Sequence, residues 1–315
     1  MRLGRLRLAV PPWSYGFLAA LALWAATTLH SGVGSAGAVL ASALSFAAFT
    51  VLVGTGQMLV IASGPGNIDL SVPTVLTLAS YVAMSVMAGR NALLVPGVLA
   101  ALLVGAAAGA LNFAAIAALR LPPIIATLAW SFVFESFAFD IGGQTRLKPP
   151  ALLGDFAAAR WGVVQIVPLA VMLVTLLAAV MLRRTVFGRH LLATGQSERA
   201  ARLAGIVVGR VRLAAYMLCG ATGALAGVLL AGFTGGASLN MGRSYLLSSI
   251  AVVVLGGTSV SGGQANAVGI WGAALFFDLM TTMLNSFGLQ AGARFLLTGA
   301  LIIFIVAIVP RRRAA

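Results

Sequence analysis

Few residues in this chain could do chemistry. Its 315 residues contain six acids, two histidines and one cysteine. His30, His190 and Cys219 are too scattered to form a metal-ligand cluster. No Gly-x-Ser-x-Gly elbow with triad partners occurs. The phosphate-binding pattern Gly-x4-Gly-Lys-Ser/Thr is absent as well, because the only lysine, Lys148, is followed by Pro149. An enzyme gathers titratable groups at one place, and here they are dispersed. The informative acids are Glu135 and Asp278, each inside a long apolar run, where an ionisable side chain is costly and reads by default as functional. Trp271, Asp278 and Asn285 recur at i, i+7 and i+14 and share one helical stripe, with Thr281 and Thr282 beside it. Ser131 and Glu135 share a face at i, i+4. Carboxylates, amides and an aromatic plane suit the hydroxyls and ring face of a small polar solute. Bonding to neighbouring helices is an equally open role for Glu135 and Asp278, and is favoured for Trp271.

The elements that would position these residues are membrane spans. Hydrophobic residues make up 61% of the chain, charged residues 8%, and mean hydropathy is +1.05. A soluble domain has roughly 25% charged residues. Apolar runs near the ~20 residues needed to cross a bilayer recur at 13–31, 42–62, 71–88, 92–119, 122–140, 162–182, 213–233, 245–260, 265–286 and 292–309. The expectation is an all-α polytopic membrane protein of about ten transmembrane helices. It is read as one domain, 1–315, with its first span a retained anchor rather than a cleaved signal. The net charge of +14 lies in short connectors rather than along an exposed face, which argues against nucleic acid. Ten spans with a cytosolic N-terminus place fourteen basic residues inside, including Arg120 and the seven arginines of 183–212, and six outside. That asymmetry implies cytosolic N- and C-termini. The connector 141–161, with Asp155 and Pro149-Pro150, is expected to form a small external cap.

Three connectors carry pattern beyond polarity. The 183–212 loop contains a short cationic helix opened by Ser197, an N-cap type, and stopped at Gly205. GGTSVSGG at 256–263 has neither lysine nor preceding strand, so it reads as a tight turn and close helix approach. At the Gly-rich corner before Ser71, Asn67 and Asp69 either re-enter the membrane to line a cavity, or Asp69 caps the span that follows. A further Gly-rich break, 234–242, lies on the opposite side, and spans 1–5 and 6–10 read as a possible inverted repeat.

These segments resemble, in order, the membrane permease subunits of bacterial ABC sugar importers of the ribose, xylose and galactose group. The similar stretches are GQMLVIASGPGNIDLSV (56–72), GALNFAAIAALRLPPIIATLAW (109–130, containing Asn112), FGRHLLATGQSERAARLAGIVVGRVR (187–212) and VVVLGGTSVSGGQ (252–264). The resemblance covers almost all of residues 40–310. The resemblance implies a permease subunit in the bacterial cytoplasmic membrane that moves a monosaccharide or similar polar solute. It implies two permease copies, ABC ATPase subunits and an extracytoplasmic solute-binding protein as partners. No cofactor is its own, ATP being used by the partner. Gln196, Ser197, Glu198, Arg199, Arg202 and Gly205 would form the coupling helix seated on the ATPase. Glu135, Asp278, Asn285, Trp271, Ser131, Asn112, Asn67 and Asp69 would belong to the solute pathway. A similar branch handles branched-chain amino acids, and a stand-alone proton-coupled carrier using Glu135 or Asp278 is the rival from another class. The chain departs from the resemblance at Pro73-Thr74, the inserted Pro65-Gly66, Glu135-Ser136, and FFDLMTTMLNSF in the ninth span. Those departures bear on the solute rather than the class.

Overall fold

The computed structural model describes residues 13–142 and 148–288, and beyond them Gly292, Leu296, Leu297, Gly299, Ala300 and Ile303. Apart from those six positions, the expected span 292–309 lies outside the described residues, as do the basic residues at 2–7, 146, 294 and 311–313. Twelve helices are described: α1 (Ser14–Ser31), α2 (Ala36–Ala62), α3 (Val72–Met87), α4 (Leu94–Leu119), α5 (Pro123–Gly142), α6 (Ala151–Ala158), α7 (Ile166–Arg184), α8 (Val186–Gln196), α9 (Glu198–Leu203), α10 (Val208–Thr234), α11 (Tyr245–Leu255) and α12 (Ala267–Ser286). A two-stranded antiparallel hairpin, β1 (Arg160–Trp161) and β2 (Val164–Gln165), pairs Arg160 with Gln165. Among the described residues, six helical segments are long and apolar enough to cross a membrane: Val33–Ala62, Asn91–Leu119, Pro123–Gly142, Ile166–Arg184, Val208–Thr234 and Ala267–Ser286. Val72–Met87 and Tyr245–Leu255 are apolar but shorter. The chain is an all-α, multi-pass membrane protein.

The centre of the bundle is α10, which packs on α4, α2 and α3. Lipid tails give helices no hydrophobic reason to associate, so close packing depends on small residues. A Cβ at Gly105 of α4 would collide with the Gly220 carbonyl of α10, and one at Gly220 would collide with the Gly105 carbonyl. One turn along α4, Gly109 meets the Tyr216 carbonyl in the same way. The second half of α2, 47–62, is buried on every side. By contrast, Leu99, Leu103, Phe132, Phe137, Leu173 and Leu177 on α4, α5 and α7 present exposed apolar surface, as suits contact with hydrocarbon.

Two expectations need correction. The span expected at 245–260 stops at Leu255, where Gly256 and the left-handed Gly257 (φ +90°) break the helix. Its 11 residues rise only about 16 Å, roughly half of a ~30 Å hydrocarbon core. The connector expected at 183–212 is mostly helical, because α7 runs on to Arg184, α8 and α9 follow, and α10 already begins at Val208. Apolar composition cannot reveal helices that lie outside the apolar core. The segment expected as a cap contains α6, which starts directly after Pro149-Pro150 and buries Leu153 and Ala157 against α10 and α7, followed by the β-hairpin.

Candidate functional site

At the α8–α9 end, capping determines the local structure. Thr185 Oγ1 accepts from Gly188 N at 3.1 Å to start α8, and Ser197 Oγ accepts from Ala200 N at 3.2 Å to start α9. Gly205 (φ +80°) closes α9 with its N–H on the Arg202 carbonyl, and Ile206 N–H reaches the Ala201 carbonyl, both at 3.0 Å. A left-handed residue just past a helix is how free terminal carbonyls are met, and Gly adopts it without strain. Both ends of this short helix fall where the sequence reading puts them. Glu198 then makes two ion pairs, with Arg202 at 2.7 Å and with Arg212 of α10 at 2.8 Å. The Arg202 hydrogen bond, supported by the Arg212 charge, holds its carboxyl below the usual glutamate range against the opposing effect of partial burial. Arg199 is exposed on the same helix.

Three segments far apart in sequence meet beside this helix. Gly263 N–H donates to the Ala62 carbonyl at 2.9 Å, and Gln196 Nε2 donates to the Gly263 carbonyl at 3.4 Å. A Cβ at Gly195 would strike both the Ala62 carbonyl and Gly263 N, and one at Gly262 would lie 2.8 Å from Gly64 Cα. The end of α8, the end of α2 and the GGTSVSGG loop therefore touch backbone to backbone. The Arg212 guanidinium covers the same corner, 2.9 Å from where a Gly64 Cβ would be. Sequence reasoning found the two glycine-rich segments but not Gly195 or the meeting of the three, and it missed Arg212 as the partner of Glu198.

The corner 63–71 is held from within. Asp69, 2% exposed, accepts from Ser71 N at 2.9 Å, from Ser71 Oγ at 2.7 Å, and from Asn112 Nδ2 at 3.3 Å to each carboxylate oxygen. Asn112 Nδ2 also donates to Ser71 Oγ at 2.6 Å. With donors matched to acceptors, the Gln57 side-chain amide brackets the backbone N–H and C=O of Asp69 at 3.2 Å each. Leu70 N–H donates to Thr127 Oγ1 at 3.1 Å. Asp69 thus sits just before α3 and ties this corner to α4; it bonds Ser71 itself and none of the first-turn N–H groups of α3, so the expected side-chain cap is not made. Asn67 Nδ2 donates to Ser63 Oγ at 3.0 Å. Asn67 also lines a cavity of about 410 Å³ with Gln196, Glu198, Arg212 and Ser261.

The remaining sequence candidates do not gather into one place. Trp271 is 7% exposed and donates from Nε1 to Thr175 Oγ1 of α7 at 3.2 Å, a helix-to-helix tie inside the core. Asp278 Oδ2 accepts from Thr50 Oγ1 of α2 at 3.3 Å. Asn285, in the last turn of α12, is exposed. Glu135 pairs with Arg243 at 3.8 Å and lines a cleft of about 30 Å³ with Thr74, Thr77 and Leu239. Ser131 Oγ donates to the Leu128 carbonyl of its own helix at 2.6 Å. Since α5 packs on α3 and α4, and α12 on α1, α2, α11 and α7, the two carboxylates belong to different helix groups of this chain. Spacing along one helix could not reveal Thr50, Thr175 or Arg243.

Residues 39–306 match the family described as branched-chain amino acid transport system / permease component. Among curated proteins, the chain is 34% identical over 263 residues to the ribose import permease protein of Escherichia coli (strain K12), covering 81% of this chain and 80% of that one. It is 34% identical over 283 residues to the fructose import permease protein of Rhizobium meliloti, covering 82% and 73%. With the autoinducer 2 import system permease protein of Photorhabdus laumondii it shares 30% over 249 residues, covering 76% and 74%. No solved structure matches it.

Proposed function

The chain belongs to the family of branched-chain amino acid transport system permease components, and on that premise we propose that it is the membrane subunit of an ATP-binding-cassette importer for a monosaccharide or similar small polar solute. The observation that carries this reading is the joint at the α8–α9 end. A short capped helix with an exposed arginine is fastened by Glu198–Arg212 to the central helix α10, and by the Gly195–Gly262–Gly263 contacts to α2 and the loop before α12. A stand-alone carrier has no use for such a docking helix. The ribose and fructose import permeases named above favour a sugar over the amino acid in the family's description.

In this reading the chain crosses the membrane ten times with both termini cytosolic, its halves an inverted repeat, and the coupling segment within 183–212 faces the cytosol. A second permease copy, ABC ATPase subunits and an external solute-binding protein complete the importer. The chain itself uses no cofactor, since ATP acts on the partner. Gln196, Ser197, Glu198, Arg199, Arg202 and Gly205 form the docking helix and its caps. Movement of α9 passes through Glu198 to α10 and through Gly195 to α2, the two helices at the centre of the bundle. Glu135, Asp278, Asn285 and Asn67 contact solute. Trp271, Ser131, Asn112 and Asp69 position the helices around the path. Uptake of a labelled pentose by proteoliposomes holding the full importer tests this. Dependence on ATP, with indifference to a collapsed proton gradient, is the expected result; uptake that follows the gradient would replace this reading with the proton-coupled carrier.

A further inference from the structure

A second cavity, of about 270 Å³, opens at the α8–α9 end next to the one already described. Asn67, Phe113, Arg202, Arg212 and Tyr216 line it, together with Val208 and Gly209 from the first turn of α10. Its polar lining is rich in donors. Arg212 and Tyr216 are four apart on α10 and so share a face. Tyr216 is fully buried, and its hydroxyl has no hydrogen-bond partner among the described residues. The Arg212 Nε–H is likewise buried and without a partner there, although the other end of the guanidinium pairs with Glu198. Such orphaned donors cost stability unless an acceptor meets them.

Charge points the same way. Two guanidiniums reach this cavity and none of its lining residues is a carboxylate. Glu198 stands in the adjoining cavity and is shared between both arginines: Oε1 accepts from Arg202 Nε at 3.1 Å and from its Nη2 at 2.7 Å, and Oε2 pairs with Arg212 at 2.8 Å. The two cavities are lined by one acid and two guanidiniums, and the further acid whose charge reaches Tyr216, the buried Asp69, already receives donors from Ser71 and Asn112; the positive end of the α10 dipole adds to the cationic side. A compact oxyanion offers several acceptors at once, and Arg with Tyr and a helix start is a suitable donor set for it. The volume, about 270 Å³, lies just below the roughly 300–1,000 Å³ range of ligand pockets, which suits a small phosphate ester better than a nucleotide.

We propose that this cavity is a binding site for a phosphate group, on a small phosphomonoester or a lipid headgroup, held by Arg212, Tyr216 and Arg202. Because Arg202 belongs to α9 and the other two to α10, an occupant fastens the two helices together as Glu198 does. If α9 is the coupling helix, a point that rests on the function proposed above, occupancy restrains coupling.

The test reads binding alone and so stands whether or not the importer reading does. The full-length protein, in dodecyl maltoside micelles that carry no phosphate, is titrated with inorganic phosphate and with glycerol 3-phosphate at constant ionic strength against chloride, and its melting temperature is followed. A saturable rise with phosphate but not chloride is expected, lost in Arg212→Gln. Tyr216→Phe should weaken the apparent affinity about ten-fold, the effect of one hydrogen bond to a charged group. Its melting temperature without phosphate should be unchanged or higher, since the lost hydroxyl has no partner. A flat titration, an equal response to chloride, or full affinity in Tyr216→Phe overturns the proposal. Repeating the titration in nanodiscs of phosphatidylglycerol identifies the source: loss of the free-phosphate response seen in micelles assigns the site to a lipid headgroup, and persistence assigns it to a soluble ester, each keeping the phosphate site.

Discussion

The two ends of this bundle are built differently. At the α8–α9 end, α2, α8 and the loop after α11 touch through backbone at Ala62, Gly195 and Gly263, an ion pair of 2.8 Å ties α9 to α10, and Asp69 receives donors from Ser71 and Asn112. Near the other face, Glu135 meets Arg243 at 3.8 Å with that arginine side chain 74% exposed, and α6 with the β-hairpin forms the cover. Backbone-to-backbone contact cannot yield without moving whole helices, whereas a loose surface pair can part at little cost. In the proposed importer, the tight end would pass a push from the ATPase into the helices, and the looser end would open and close around the solute.

Substitutions can break or sharpen this contrast. The largest effect is expected for Gly195→Val, whose side chain has only backbone to displace at Ala62 and Gly263. It should cost on the order of 3 kcal/mol, seen as a marked fall in melting temperature of the solubilised protein. Gly154→Ala in α6, where a Cβ meets nothing within 4 Å, should instead stabilise by about 0.5–1 kcal/mol. A Gly195→Val protein as stable as wild type would erase the difference between the ends. Asn112→Leu comes next, since it strips a donor from the buried Asp69 carboxylate, and a loss of about 1–3 kcal/mol is expected by thermal unfolding.

Glu198→Gln should separate stability from function. Its pairs are partly exposed, so stability should fall by less than about 1 kcal/mol, while ATP-driven uptake drops strongly. The pH dependence follows from the lowered carboxyl. Because the folded value lies below the unfolded one, the contribution is complete above the ordinary glutamate range and is lost as pH falls through the folded value. Melting curves of wild type and Glu198→Gln should therefore converge only in acid below that range; convergence already within it would show the ion pairs to be weak. The smallest effect on stability is expected for Glu135→Gln, below about 0.5 kcal/mol, with a raised KM for solute uptake as its signature. An unchanged KM would make Glu135 merely a partner for Arg243.

What the sequence could show was local. Ser197 and Gly205 delimit α9 because capping depends on residues within one turn, and apolar runs mark the long helices because hydrocarbon selects them. Glu198–Arg212 and Asp69–Asn112 join residues 14 and 43 positions apart, and no periodicity predicts such meetings. The short α11 was hidden as well: the apolar run 250–255 and the uncharged residues that follow it read as one span, while Gly256-Gly257 ends the helix. The stripe of Trp271, Asp278 and Asn285 is real as helical geometry, yet Trp271 turns to α7 and Asp278 to α2, since neighbours are chosen by packing rather than by spacing.

The most direct test of the central claim is a gentle-detergent pull-down of the tagged protein from its native host, comparing wild type with a chain altered at Glu198, Arg199 and Arg202. Co-purification of an ATPase chain carrying the Gly-Lys phosphate-binding motif, lost in the altered protein while its melting temperature holds, is the predicted result. Recovery of the wild-type chain alone, still active in uptake driven by a proton gradient, would contradict it.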